Sequence, residues 1–493
     1  MPDSVDVVVA GAGFGGLVAA ATAAERGKSV VLLEAGPRVG GTVTLSSGLM
    51  HIYDAPTREV FHTTFPSVNP QLGKALYEAF PEFVTWLKGV GVPMTSIPLP
   101  SDLYGDPKRV PQGYLLGLSK RTVIAQPMMK KSSKLAYSLF GDMYLRILDR
   151  TLLRRLRIEV VRRLEKAAVS HGARVVVDAR VDTITDVDGS YDVKASTANG
   201  PMSWRAKAVI LATGGFQGSP DLLEKYLGSK GAVCRAVRTN RGDGLRLGEA
   251  LGAGVEGPMD RFYGYPMPAL PKPIDHDKDP LALLSTSAFY AGSSVLVNRA
   301  GKRFCDEAAA AKDAALASAI ATKGDGECWA VLDTNIREKF GKKGFGDGLL
   351  PPIELISSAQ KRGAKLLVAD TLAQLAELLG REGVDGKRVA ETLAEYNKAC
   401  ADKSTGALSP PRAKNPVPIA EAPFFAIKLL PGVSMTYGGL RINERAQVMS
   451  TKGEPLRGIY AVPGVAGGLY TQQYAGAIAA CGAFGRIAGQ AAS

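Results

Sequence analysis

The sequence predicts an α/β fold, on three observations. Residues 6–10 form an apolar run that opens directly onto Gly11-Ala12-Gly13-Phe14-Gly15-Gly16. An alanine-rich stretch, 17–26, ends at Gly27 and leads into a second apolar run, 29–34, closed by Glu34. Much later, Ala208-Val209-Ile210-Leu211-Ala212-Thr213-Gly214-Gly215 and Gly458-Ile459-Tyr460-Ala461-Val462-Pro463-Gly464 each repeat the pattern of an apolar strand running into a glycine turn. Short apolar runs bounded by glycine read as buried strands, and the segment between the first two reads as a helix.

The uncharged run from Val7 to Ala24 also has the outline of an export signal or a membrane span. Both are rejected. Asp3 and Asp6 stand where a signal needs basic residues. The run falls short of the roughly 20 apolar residues that span a bilayer, and glycines interrupt it. The β-α-β reading gives each glycine a task. Gly11 permits the turn, Gly13 lets a pyrophosphate approach the backbone, and Gly16 lets helix and strand pack closely. The phosphate rests on the helix N-terminus, and Glu34 is placed to bind a ribose hydroxyl.

Composition bounds the rest. The chain has 493 residues, 46% hydrophobic and 22% charged, enough for two or more cores. Its five cysteines, 234, 305, 328, 400 and 481, are scattered and form no Cys-x-x-Cys pair, so a zinc, iron–sulfur or haem site lacks ligands and a reducing, cytoplasmic compartment is expected. Four histidines make no metal cluster, and no metal is expected. The formal charge of +13 favours anionic partners. No nucleic-acid-reading module accompanies it, and no nucleic acid partner is expected. The charge is concentrated in 130–163, where Lys130, Lys131, Lys134, Arg146, Arg150, Arg154, Arg155, Arg157, Arg162 and Arg163 interleave with apolar residues. This stretch reads either as a solvated helix or subunit contact packed on the domain, or as a peripheral membrane contact.

After Glu34 come Ala35, Gly40, Gly41, Thr42, Ser46, Ser47 and Gly48, small residues and hydroxyls suited to a broad ring system lying against backbone. Together with the two later glycine turns and with Val297-Asn298-Arg299-Ala300-Gly301-Lys302-Arg303-Phe304-Cys305-Asp306-Glu307, this pattern resembles the flavoprotein family of fumarate reductase flavoprotein subunits, 3-ketosteroid dehydrogenases and tricarballylate dehydrogenase. The resemblance implies a Rossmann-like FAD-binding domain of the glutathione-reductase-like kind with an inserted α+β substrate or cap domain. The corresponding division is 1–258 and 425–493 for the FAD-binding domain and 259–424 for the insert. The proline-rich stretches 265–273 and 409–418 read as linkers bracketing the insert.

The resemblance further implies FAD held by Gly11, Gly13, Phe14, Gly15, Gly16, Glu34, Ala35, Gly40, Gly41, Thr42, Ser46, Ser47, Gly48, Val181, Ala212, Thr213, Gly214, Asn240, Asp243, Gly439, Gly464, Gly476, Ala477 and Ile478. Covalent members use a histidine near the position of Thr42. None stands there, so non-covalent FAD is expected. The family's chemistry is hydride exchange between flavin N5 and a carbon next to a carbonyl, with an external electron donor or acceptor.

Three places are similar to the family's catalytic positions. Tyr474 stands where fumarate reductases carry a carboxylate-clamping arginine and ketosteroid dehydrogenases a tyrosine. Met435, in Met435-Thr436-Tyr437-Gly438-Gly439, replaces the substrate-binding histidine of fumarate reductases, and Tyr437 faces the flavin or the pocket. Lys312 lies near the position of a proton-shuttling arginine or tyrosine. The catalytic candidates are therefore Tyr474, Lys312 and Tyr437, and the substrate-binding candidates are Tyr104, Tyr265, Met435 and Tyr474. Tyr114, Tyr263 and His51 are further pocket candidates. Loss of both clamps points away from small dicarboxylates and toward an apolar ketone of 3-ketosteroid type. Ile478, where Δ1-steroid enzymes have glycine, departs from that pattern. The alternatives are an unsaturated-acid oxidoreductase, with Lys312 and one of Arg235, Arg238 or Arg241 holding a carboxylate, and a non-catalytic electron-transfer flavoprotein.

Overall fold

A computed structural model describes residues 3–46, 48–52, 69–98, 112–117, 154–229, 231–275, 279, 282–308, 315–345, 350–470 and 476–493. The opening segment folds as the sequence predicts. Strand β1 (Asp3–Ala10) feeds helix α1 (Phe14–Glu25), which returns to β2 (Val30–Leu33). Helix α2 (Arg154–Ser170) leads to β3 (Arg174–Val176) and the hairpin β4 (Ala179–Val187) and β5 (Ser190–Thr197), followed by the long β6 (Gly200–Leu211). The second half contributes β7 (Val233–Cys234), β8 (Phe262–Pro268), β9 (Val295–Val297), β10 (Cys328–Asp333), β11 (Leu366–Ala369), β12 (Phe424–Thr436), β13 (Gln447–Met449), β14 (Pro455–Ala461) and the final helix α3 (Ala477–Ala491).

Two sheets organise these elements. The first runs β13-β14-β6-β1-β2-β3, with β5 on β6 and β4 on β5. Its centre is parallel: Val7 pairs with Val30 and with Ala208, and Ile459 with Val209. The central residues Val7–Ala10 and Val30–Leu33 are buried, as parallel strands covered on both faces must be. The second sheet runs β7-β12-β10-β9, with β8 and β11 also on β12.

Two hydrophobic cores match the two sheets. One gathers Val7–Ala10, α1 and α3; the other gathers Val295–Val297, Cys328–Leu332 and Phe425–Ile427. β12 passes between them. Phe424 to Ile427 and Leu429 sit in the second core, Val433 and Met435 in the first. We propose the division 1–258, 259–424 and 425–493 on this basis, with β12 as the shared element.

The structure corrects one linker. The stretch 265–273 is not a loose connection, because its first half lies in β8 and pairs antiparallel with β12, Pro266 opposite Pro431 and Pro268 opposite Leu429. Among the described strands β8 pairs only with β12, and an edge strand tolerates proline because no neighbour needs the missing N–H. The stretch 409–418 has no regular structure, yet it is anchored by the buried Arg412, whose Nη1 donates to Glu307.

The basic stretch is described only from Arg154 onward. There it is α2, whose Val160, Val161 and Leu164 are buried in the first core, while Glu159 pairs with Arg162 and Arg163 on the outer face. This part of the stretch is packed on the domain; 130–153 lies outside the described residues. No helix among the described residues is long and apolar enough to cross a membrane.

Helices α1 and α3 approach closely through glycine. A Cβ on Gly485 would stand 2.5 Å from the Gly15 carbonyl oxygen, and one on Gly489 2.6 Å from that of Ala19. Gly485→Val is expected to force these helices apart and destabilise the protein by about 1–3 kcal/mol. Thermal unfolding of the holoprotein, with a lowered midpoint and reduced flavin content, checks this.

Candidate flavin site and adjoining pocket

A cavity of about 720 Å³ begins at the glycine turn and ends against the second sheet. That volume lies within the usual range of ligand pockets. The turn is built by packing. A Cβ on Gly11, where φ is +102°, would lie 2.5 Å from the Ala212 oxygen; on Gly15, 2.9 Å from the Cys481 oxygen; on Gly16, 1.9 Å from the Gly11 oxygen. Gly13 differs, because a Cβ there meets nothing within 4 Å. Its missing side chain leaves open space in the cavity, at the N-cap of α1, which carries no side-chain cap. Packing explains three of these glycines, and room for an anion on the helix N-terminus explains the fourth.

Glu34 lines the same end. Its carboxylate accepts from the Ala12 and Gly36 N–H groups at 2.9 and 2.8 Å. Burial pushes its carboxyl up and the two backbone donors oppose that. Asp243 lines the cavity and is paired with Arg180.

Of the residues predicted to hold FAD, Gly11, Gly13, Phe14, Gly15, Glu34, Ala35, Gly41, Thr42, Ser46, Val181, Ala212, Thr213, Gly214, Asn240, Asp243, Gly464, Ala477 and Ile478 line the cavity. Gly16, Gly40, Gly48, Gly439 and Gly476 do not line it. Gly439 would clash with the Val465 oxygen at 2.0 Å and Gly476 with the His51 oxygen at 2.0 Å, so these glycines let backbones meet. Ser47 lies outside the described residues. Thr42 Oγ1 accepts from Asn240 Nδ2 and from the Val237 N–H, both at 3.3 Å, tying the Gly41–Leu45 turn to the Val237–Asn240 loop.

The groups present fit FAD: an anion seat at the Gly13 turn, a buried carboxylate for a ribose, and an apolar-walled slot beyond Thr42. Gln217 adds an unspent acceptor. Its Nε2 donates to the Ser434 carbonyl oxygen at 2.9 Å, while its buried Oε1 has no partner among the described residues.

The far end is built by β8 and β12. Strand alternation turns Tyr263 and Tyr265 to one face, where both line the cavity, while Phe262 and Gly264 turn away. Their hydroxyls are hydrogen-bonded to each other at 2.5 Å. Opposite, the ladder has a bulge. Tyr263 pairs with Met435 and Gly264 with Val433, so Ser434 is the extra residue and consecutive Ser434 and Met435 both reach the cavity. Leu283, Leu284 and Phe289 close this end.

Arg235 enters from the segment after β7, held by its N–H to the Val433 oxygen at 2.8 Å. It is 8% exposed. Nε donates to Ser434 Oγ at 3.2 Å, and Nη1 to Ser287 Oγ, the Leu283 oxygen and Met267 sulfur at 2.7, 3.2 and 2.6 Å. Its guanidinium lies over the Tyr265 ring, 5.0 Å from the centroid. Burial lowers its pKa to about 10, so it stays cationic at neutral pH.

Of the substrate-binding candidates, Tyr265 and Met435 line the cavity. Tyr437 does not line it. It is buried at 3% exposure and packs on Tyr470, ring centroids 5.7 Å apart. Its place is behind the pocket wall. Tyr474, Lys312 and Tyr104 lie outside the described residues. Among the further candidates Tyr263 and His51 line the cavity and Tyr114 does not. Sequence reasoning missed Gln217, Ser434, Leu283, Leu284 and Phe289, which belong to no motif. Recognising 262–268 as a strand paired with β12 was the signal that would have joined Tyr263, Tyr265 and Ser434.

The comparisons agree with this geometry. A family model described as an FAD binding domain matches residues 6–483. The chain is 28% identical to a fumarate reductase (cytochrome) of Shewanella frigidimarina, over 100% of this chain and 77% of that one. It is equally 28% identical to a 4-oxocyclohexanecarboxylate 2-dehydrogenase of Sinomonas cyclohexanicum, over 99% and 93%. Its fold matches 3-ketosteroid Δ1-dehydrogenase from Sterolibacterium denitrificans with a TM-score of 0.69 and 20% identity, over 99% of both chains. The chain belongs to the FAD-binding family of fumarate reductases and 3-ketosteroid dehydrogenases, and is an FAD-dependent oxidoreductase acting on CH–CH groups.

His51 allows a pH test. Burial pushes its pKa down to about 4, so it is neutral in the folded protein at pH 5–7. The unfolded chain takes up that proton below about 6.5. Stability is then lost as pH falls from about 6.5 to about 4, by up to about 3 kcal/mol. His51→Gln is expected to flatten that part of the pH–stability curve, as measured by denaturant unfolding; parallel curves would reject the burial argument.

Proposed function

We propose that this enzyme interconverts a carbon–carbon single and double bond next to the carbonyl of a largely apolar substrate. The carrying observation is that the cavity continues past its flavin-binding stretch into an end walled by Tyr263, Tyr265, Leu283, Leu284, Phe289 and Met435. Met435 in the place of the fumarate reductase histidine supports an apolar body over a small dicarboxylate. The likeness to a 4-oxocyclohexanecarboxylate 2-dehydrogenase supports a cyclic ketone as substrate class.

FAD, when bound, supplies the hydride acceptor or donor at N5. The chain's own residues hold and orient what reacts. Gly13 and the N-terminus of α1 would hold the FAD pyrophosphate, and Glu34 its ribose. The Leu283–Leu284 and Phe289 surfaces exclude water from the reacting carbon. The hydroxyls of Tyr263 and Tyr265, joined in a shared hydrogen bond, stand at this end of the cavity beside the space for a substrate oxygen. Tyr474 is assigned from the sequence to donate to the ketone oxygen, and Lys312 to move the proton. The electron partner is external, as the named cytochrome of the fumarate reductase relative supports.

Mixing the oxidised holoenzyme anaerobically with cyclic ketones is expected to bleach the flavin, and an absence of bleaching by any carbonyl compound would favour the electron-transfer alternative. Tyr474→Phe is expected to keep its FAD and to lose about 100-fold or more in turnover. Near-normal rates in that variant remove the phenol from the reaction.

A further inference from the structure

We propose that Arg235 is the receptor for a single carboxylate on the substrate, which makes the preferred substrate an apolar molecule carrying one negative charge. This rests on reading the Tyr263–Met435 end of the cavity as the substrate end.

A buried arginine is costly unless a counter-charge meets it. The chain shows how that is ordinarily done. Arg303 and Arg412, also buried, both donate to Glu307, which is fully buried between them. Arg235 is held differently. Its side-chain partners among the described residues are a carbonyl oxygen, two hydroxyls and a thioether, all neutral. Among the described residues no carboxylate pairs with it, and its Nη2 makes no hydrogen bond. Those neutral contacts fix the guanidinium without neutralising it, and the Tyr265 face holds its plane. The geometry leaves one edge of a positioned cation for a ligand.

The surroundings set the size of the demand. Among the described residues Arg235 is the only lysine or arginine lining the cavity. The cavity's carboxylates, Glu34 and Asp243, belong to its nucleotide end, where Glu34 is held by backbone donors and Asp243 by Arg180. One cation balances one carboxylate. A second carboxylate would face leucine, phenylalanine and methionine. The receptor also enters from a different element than the histidine and arginine clamps of fumarate reductases, which Met435 and Tyr474 replace here.

The test uses oxidised holoenzyme, cyclohexanecarboxylate as probe and its uncharged amide as control, titrated by calorimetry at fixed ionic strength. Neither compound needs to react. The wild type is expected to bind the carboxylate at least tenfold more tightly than the amide. Arg235→Met is expected to weaken carboxylate binding about 10- to 100-fold and amide binding by a much smaller factor, with flavin content retained. Arg235→Lys is expected to recover part of the loss, and it carries the test should Arg235→Met not fold.

Equal wild-type affinity for the two probes overturns the proposal. So does carboxylate binding at wild-type affinity in Arg235→Met, or in Arg235→Lys where Arg235→Met does not fold, including the case where the variants instead lose FAD or shift the flavin potential, which would make Arg235 a cofactor residue. Failure of ketones to bleach the flavin, with probe discrimination intact, would count against the proposed reaction and leave the receptor standing.

Discussion

Everything in this fold depends on backbone meeting backbone at the first turn. Gly11 lies under the Ala212 carbonyl and Gly16 over Gly11's own, so β1, α1 and the end of β6 meet at van der Waals distance. Gly15 and Gly485 bring α3 to the same point from the other side. Such packing leaves no room for a methyl group at any of these positions. It leaves the cavity mouth at Gly13 clear. A seat for phosphate is what remains when every other direction is filled.

The second constraint is the sharing of β12 between two cores. The strand collects β8, β10, β11 and β7, so segments well separated in sequence are pinned to one ladder. Arg235 beside β7, Tyr263 and Tyr265 on β8, and Ser434 and Met435 on β12 converge because their strands pair there. The pocket is thus a property of the second sheet, and the cofactor groove a property of the first.

That difference explains how much was legible in the sequence. The groove is written locally. Gly-x-Gly-x-x-Gly, Glu34 and the Ala212–Gly214 turn each sit at the end of an apolar strand, and a reader of spacing finds them. The pocket is written in long-range pairings. Pro266 and Pro268 look like a linker until β12 is beside them, because proline's local signal outweighs the alternation of Tyr263 and Tyr265. Tyr437 carried a motif signal yet packs on Tyr470, because its neighbours Gly438 and Gly439 serve close backbone contact with Met259 and Val465. Arg235 was visible only as one of three arginines. Its distinction is burial with no acid beside it among the described residues, which no local pattern encodes.

The bulge at Ser434 has a consequence of its own. It spends one extra residue to present two adjacent side chains to the same space, a hydroxyl that steadies the guanidinium and a thioether that greases the wall. Removing that residue would return the ladder to even pairing and leave the scaffold on either side in step. The wall's chemistry would change at once. A single residue thus separates the register of this ladder from the pair of side chains it presents to the cavity.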